Sequence, residues 1–218
     1  MKFNPDLHHR RTIRLRHYNY NQAGFYFVTV CVRNRECLFG DVVGNAIQLN
    51  RVGEFVSQTW LDLSGRFKSI RSDAFVVMPN HFHGVIILVG AGLALPSTRV
   101  HMAKDFSAPP RIRPETGKRG AASSAPTLGD IIRVFKSLSA IGVNRLSGRS
   151  GQPLWQRNYY EHIIRDDEEL DRIRQYIADN PSNWAEDSEN PLSVQAQKRS
   201  GPVNRTSKIS SLLEDRLD

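Results

Sequence analysis

The stretch Ala74-Phe75-Val76-Val77-Met78-Pro79-Asn80-His81-Phe82-His83-Gly84-Val85-Ile86-Ile87-Leu88-Val89 contains two apolar runs separated by a Pro-Asn turn. Both runs are short and dense in β-branched and aromatic residues, which suits a pleated, buried surface. Pro79 lacks an N–H donor and belongs at a strand end, while Asn80 tolerates turn geometry. The stretch therefore reads as one strand ending at the turn and a second opening directly after it. Side chains alternate along a strand, so His81 and His83 project from one face and Phe82 from the other. Two imidazoles on one face can hold a divalent metal ion, but the same spacing also suits a buried pair satisfied by backbone hydrogen bonds.

Working outward, Phe25-Tyr26-Phe27-Val28-Thr29-Val30-Cys31-Val32 reads as a further buried strand. Between these strands Asn50 is placed to cap a helix with Val52, Phe55, Val56, Thr59, Trp60 and Leu63 along one side. Thr127 and Asp130 have the spacing of a capping box, and Leu128, Ile131, Ile132, Phe135 and Leu138 follow at helical intervals. Leu154 to Arg165, with Trp155, Tyr159 and Tyr160, reads as an irregular fourth strand. Asp166 then caps a third helix whose acidic first turn complements the helix dipole, whose buried side is Leu170, Ile173 and Ile177, and which Pro181 closes. The order β-α-β-β-α-β plus a helix predicts an α+β, ferredoxin-like split β-α-β fold: a four-stranded antiparallel sheet with helices on one face and a C-terminal tyrosine-bearing helix.

The 218 residues carry a formal net charge of +8. Residues 1–22 hold five basic and one acidic side chain, and residues 91–126 hold six basic and two acidic, so the excess lies in segments flanking the predicted core. Prolines at 96, 109, 110, 114 and 126 mark the second of these as an insertion. The expected organisation is a basic N-terminal arm over 1–22, one domain over 23–186 interrupted by the insertion 91–126, and a polar tail over 187–218. Basic arms attract a phosphate backbone at long range, though charge alone suits solubility equally well. No apolar run reaches bilayer length, and the first 22 residues contain no signal-peptide core. Cys31 and Cys37 suggest neither a disulfide framework nor a cysteine zinc site, and reduced thiols fit a cytoplasmic protein.

On the third predicted helix Tyr176 and Asn180 lie four residues apart and so share a face. One reading makes Tyr176 a packing aromatic and Asn180 a C-terminal cap before Pro181. The other joins them to the histidines, with His81, His83 and Asn180 as metal ligands and the Tyr176 phenol as a nucleophile toward a metal-bound phosphate. Tyr159 and Tyr160 are rival nucleophiles, although their strand-like setting beside Trp155 suits packing or base stacking. Arg133 and Lys136 occupy the polar side of the second helix, where Lys136 could meet phosphate or simply be solvated.

Taken together, Arg10-Arg11 through Arg14, Ala23-Gly24-Phe25-Tyr26-Phe27-Val28-Thr29, Val76 to Gly84, Phe135-Lys136-Ser137, Trp155 to His162, and Tyr176-Ile177 with Asn180-Pro181 resemble the single-tyrosine HUH transposase superfamily, in particular its REP-associated tyrosine transposases. The resemblance covers residues 10–90 and 127 to about 190. It implies an endonuclease that recognises imperfect palindromes in single-stranded DNA, cuts with Mg or Mn, and attaches to the 5′ phosphate through tyrosine. By motif position, Tyr176 is the nucleophile, His81 and His83 the histidine pair, and Asn180 the position that many relatives fill with Gln. Arg10, Arg11, Arg14, Arg133, Lys136 and Arg157 are the expected DNA contacts. Such proteins occur as dimers and as monomers, and the insertion and tail lie outside the shared pattern. A non-catalytic protein that only grips folded nucleic acid is the competing expectation, and intact His81, His83, Tyr176 and Asn180 argue against it.

Overall fold

The computed structural model describes residues 23–89 and 126–193. The expected DNA contacts Arg10, Arg11 and Arg14, the rest of the N-terminal arm, nearly all of the insertion and the tail beyond Ser193 lie outside these residues.

Strand β1 (Gly24–Cys31) is the long buried strand expected from its aromatic and β-branched run. A short hairpin follows, β2 (Gly40–Val43) with β3 (Ala46–Leu49). Helix α1 (Arg51–Leu61) starts at Asn50, whose side chain accepts hydrogen bonds from the Val52 and Gly53 amides, and a single turn, α2 (Leu63–Arg66), extends it. Strands β4 (Ile70–Val77) and β5 (His81–Leu88) flank the Pro-Asn turn. Helix α3 (Leu128–Leu146) begins with the Thr127–Asp130 capping box, β6 runs from Tyr160 to Ile164, and α4 (Asp167–Asp179) is capped by Asp166.

The four long strands form one antiparallel sheet in the order β4-β5-β1-β6. With β-α-β-β-α-β connectivity this is the ferredoxin-like arrangement, as expected. Three details differ from the sequence reading. The β2–β3 hairpin was not foreseen. The last strand is only Tyr160–Ile164, with Trp155 held to Val32 by an isolated bridge. The chain from Asp187 to Ser193, expected to open the polar tail, instead folds back against the body of the domain, where the Glu189 carbonyl accepts from Asn80 Nδ2 and the Glu189 carboxylate pairs with Arg35.

The sheet separates two cores. On one face Trp60 of α1 and Phe135 of α3 close on Phe82, with ring centroids 4.5 and 5.0 Å away. Tyr26, Val28 and Val30 of β1 complete that layer. On the other face α4 lays Leu170, Ile173 and Ile177 over Phe27 and Val85. Fully burying each aliphatic or Phe side chain contributes about 1.5–3 kcal/mol, so both layers fasten their helices firmly to the sheet. The amphipathic stripe of α4 thus seats this helix on the face opposite α1 and α3, which is the face that receives His81 and His83.

Candidate active site

The turn before β5 is closed by the Met78 amide donating to His81 O at 2.8 Å. Antiparallel register sets His83 opposite Thr29 and His81 opposite Cys31. Both imidazoles are buried, at 0% and 2% exposure, and their ring centroids are 4.6 Å apart. The alternation inferred from sequence is therefore observed.

Each ring is oriented by a polar neighbour. Asn80 Nδ2 donates to Arg35 O at 3.1 Å and to Glu189 O at 2.8 Å, which leaves its Oδ1 as an acceptor. That oxygen lies 3.0 Å from His81 Nδ1. His81 Nδ1 therefore carries the proton, and Nε2 presents a lone pair to the site. Thr29 Oγ1 hydrogen-bonds His83 Nδ1 at 2.8 Å, which turns His83 Nε2 inward as well.

From the opposite side α4 delivers Tyr176, whose Oη lies 3.4 Å from His83 Nε2. Its ring stands edge-on to His83 and Phe27, with centroids at 5.3 and 6.1 Å. Asn180 is the C-cap of α4, as one reading of the sequence held, yet its side chain is buried. Asn180 Oδ1 and His81 Nε2 are among the few buried side-chain atoms of the described residues with no hydrogen-bond partner, and the Asn180 side chain lies near enough to affect the proton affinity of both His81 and Tyr176. The four residues singled out from sequence thus converge.

Burial dominates the electrostatics. Desolvation pulls His81 down to about 4, against the opposing influence of Glu189 and the Asn180 side chain. His83 is pushed well below its usual range, first by burial and then by His81. Both imidazoles are neutral at pH 7, the state required of a metal ligand. Tyr176 is raised above the ordinary phenol value by burial, then by the nearby Asp187 carboxylate, with the Asn180 hydrogen bond opposing.

A divalent cation fits this setting. Two inward-facing imidazole nitrogens and a carbonyl oxygen, two of these atoms buried without a hydrogen-bond partner, are the arrangement a cation would satisfy. Among the described residues no three His, Cys, Asp or Glu side chains form a cation-binding group by themselves, so the donor set depends on the Asn180 amide.

The expected DNA contacts divide. Arg157 is exposed. Arg133 is exposed too, but pairs with Asp130 at 3.0 Å. Lys136 departs from expectation: its Nζ donates to the carbonyls of Gln156, Arg157 and Asn158 at 2.7, 3.1 and 3.3 Å. All three of its donors are thereby engaged, which fastens it to the loop that carries Arg157. The rival Tyr160 lies under α4 against Phe27, its hydroxyl raised by burial, while Tyr159 packs on the opposite core.

Sequence reasoning missed Asp187 and Glu189. Asp187 Oδ2 lies 3.8 Å from His81 Nε2. Glu189 pairs with Arg35 at 3.1 Å while its carbonyl holds Asn80. Their polar surroundings gave no periodic signal. The only clue was the proximity of two carboxylates to the end of the tyrosine helix.

Among the described residues, no helix is long and apolar enough to cross a membrane. No family model matches the chain. A structure of a REP-associated tyrosine transposase bound to a REP hairpin is similar with a TM-score of 0.48 and 18% identity, covering 79% of this chain and 73% of that one. A Deinococcus radiodurans protein assigned as a transposase is similar at 0.40 and 16%, covering 76% and 95%. At such scores neither neighbour carries the functional reading. An uncharacterized protein of Haemophilus influenzae is 39% identical over 195 residues, 85% of this chain and 96% of that one. Identity of that extent along nearly the whole of both sequences establishes common descent, and the chain belongs to the family of this Haemophilus influenzae protein.

Proposed function

We propose that the protein is a transposase-like enzyme of the single-tyrosine HUH type, which cleaves and rejoins hairpin-forming single-stranded DNA through a 5′-phosphotyrosine intermediate with the aid of a divalent metal ion. The observation that carries this reading is the meeting of Tyr176 with His83 across the α4–β5 packing, next to the unpartnered His81 Nε2 and Asn180 Oδ1.

In this reading Tyr176 Oη attacks the scissile phosphorus. A P–O bond forms to the phenol, the P–O3′ bond breaks, and the released 3′ oxygen takes up a proton. The Tyr176 proton is lost at attack, which the buried phenol resists because desolvation favours its neutral form. His81, His83 and Asn180 would hold the cation, Mg or Mn, which when bound polarises the phosphate and favours phenolate. Thr29 and Asn80 keep the two rings fixed, so little reorganisation is needed at the moment of attack. Because one phosphodiester is exchanged for another, the linkage to Tyr176 conserves the bond for rejoining by a 3′-OH.

Binding of the strand falls to the basic groups. Arg157 is exposed on the loop fastened by Lys136, and Arg133 lies exposed on α3. Arg10, Arg11 and Arg14 of the basic arm would add long-range attraction to phosphate. The direct test is to incubate the protein with single-stranded DNA carrying the palindromes that flank its own gene, with Mg or Mn and with chelator. Cleavage that leaves a free 3′-OH only when metal is present is the expected result. Salt-sensitive hairpin binding without cleavage under either metal would replace this reading with that of a binding protein.

A further inference from the structure

One buried side-chain amide, that of Asn80, joins three segments of the chain. Its Nδ2 donates to the Arg35 carbonyl at 3.1 Å and to the Glu189 carbonyl at 2.8 Å, and its Oδ1 lies 3.0 Å from His81 Nδ1. Arg35 follows β1 and Glu189 follows α4, 154 positions apart. The two residues whose carbonyls meet at Asn80 also meet through their side chains. Arg35 Nε and Nη2 face Glu189 Oε2 and Oε1 at 3.1 and 3.3 Å, a fork-to-carboxylate pairing that fixes geometry as well as charge.

The backbone at Arg35 is held in an unusual shape to make this arrangement. Asn34 and Arg35 have φ of +59° and +57°, and among the described residues no other non-glycine residue has a positive φ. Asparagine tolerates the left-handed region, arginine seldom visits it, and such a conformation persists only where its surroundings impose it. Glu189 is anchored as well, its amide donating to Asp187 Oδ1 at 2.6 Å. The Asn80 carbonyl accepts the Val32 amide at 2.8 Å, so the backbone beneath the shared amide is also fixed.

An Asn80 amide turned by half a revolution would set its oxygen against two carbonyl oxygens and its NH2 against His81 Nδ1. His81 would then accept at Nδ1 and carry its proton on Nε2, and the lone pair that Nε2 presents to the site would be gone. We propose that Arg35 and Glu189 are positioning residues for His81: their ion pair holds two carbonyls against Asn80 and so selects the Nδ1–H tautomer of the ring. The tautomer follows from hydrogen bonding alone, while the cation that Nε2 would hold rests on the metal-dependent reading given above.

The test is nitrogen NMR of the histidine rings in the metal-free, full-length protein at pH 7, with His81→Gln identifying the His81 signals. Wild type should show a pyrrole-like Nδ1 and a pyridine-like Nε2. Arg35→Ala and Glu189→Gln, each with unchanged circular dichroism, should move both nitrogens toward a common, averaged shift as the amide turns. The exchanged pair, Arg35→Glu with Glu189→Arg, should restore the wild-type pattern. A pattern unchanged in both single variants, or a wild-type His81 protonated on Nε2, would overturn the role of the ion pair. Mn2+ titration of the same proteins separates this inference from the reading beneath it. Affinity should fall about tenfold to a hundredfold in the single variants. A wild type that binds no Mn2+, while the tautomer shifts as expected in the variants, would overturn the metal reading and leave the role of Arg35 and Glu189 standing.

Discussion

Tyr176 Oη and His83 Nε2 stand 3.4 Å apart although 93 positions separate them in the chain. The apolar stripe Leu170, Ile173 and Ile177 makes the contact possible, because it seats α4 on Phe27 and Val85. Tyr176 precedes Ile177 and lies at the border of that stripe, so it reaches the end of the sheet where β5 opens. Packing thus positions the candidate chemistry.

The histidines predict a pH dependence of stability in the metal-free protein. His81 titrates near 4 in the folded chain and near 6.5 when unfolded, so between these values the unfolded chain binds more protons. Stability is fully present above pH 6.5 and falls as the pH drops toward 4, by on the order of 3 kcal/mol from His81, with His83 acting in the same direction. Urea denaturation at pH 7 and pH 5 measures it. A midpoint unchanged over that interval would contradict the neutral, desolvated state of the pair.

Asn80 is the group that fixes the His81 tautomer. Asn80→Ala removes the acceptor for His81 Nδ1 and leaves the Arg35 and Glu189 carbonyls without their donor. Mn2+ affinity should fall about tenfold to a hundredfold, as for other partners that orient a ligating histidine. Calorimetry on the folded variant decides it, and undiminished affinity would show that the ring needs no such support.

Lys136→Met should unfasten the loop over Gln156, Arg157 and Asn158. These carbonyls belong to exposed residues and regain water when the ammonium is removed, so the loss should cost about 1 kcal/mol. Hairpin DNA should also bind more weakly, since Arg157 is no longer held. Arg157→Ala should weaken binding with no change in melting temperature. If Lys136→Met weakens binding without altering stability, the lysine contacts phosphate directly, as the sequence had suggested.

The Phe55 ring of α1 rests against the bare backbone of α3 at Gly142, where an added Cβ would lie 1.9 Å from it. Gly142→Ala therefore forces the helices apart, despite the better helix propensity of alanine, and should cost about 1–3 kcal/mol. Thermal unfolding checks the sign. A stabilised variant would mean that Phe55 moves aside freely.

Much of this was legible in the sequence where two independent signals coincided. For the helices, caps at Asn50, Thr127 and Asp166 agreed with apolar spacing, and all three starts are observed. For the site, the i, i+2 spacing of the histidines and the i, i+4 spacing of Tyr176 and Asn180 each fixed a face. The β2–β3 hairpin escaped notice because its strands of four residues are mostly exposed or half-buried and carry no sustained apolar alternation. Asp187 escaped because a carboxylate in a polar stretch has no pattern to distinguish it from a solvated one. The hydrogen bonds of Lys136 were unforeseen for a related reason: helical position separates the polar side from the apolar one, but does not reveal a nearby run of backbone carbonyls.

The most direct measurement is the covalent adduct itself. Full-length protein incubated with its hairpin-bearing single-stranded DNA and Mn2+ should yield a denaturant-stable complex. Peptide mass spectrometry should find the nucleotide phosphate on Tyr176, and Tyr176→Phe should form no complex while still binding the hairpin. An adduct that persists in Tyr176→Phe, or that maps to Tyr159 or Tyr160, would contradict the assignment.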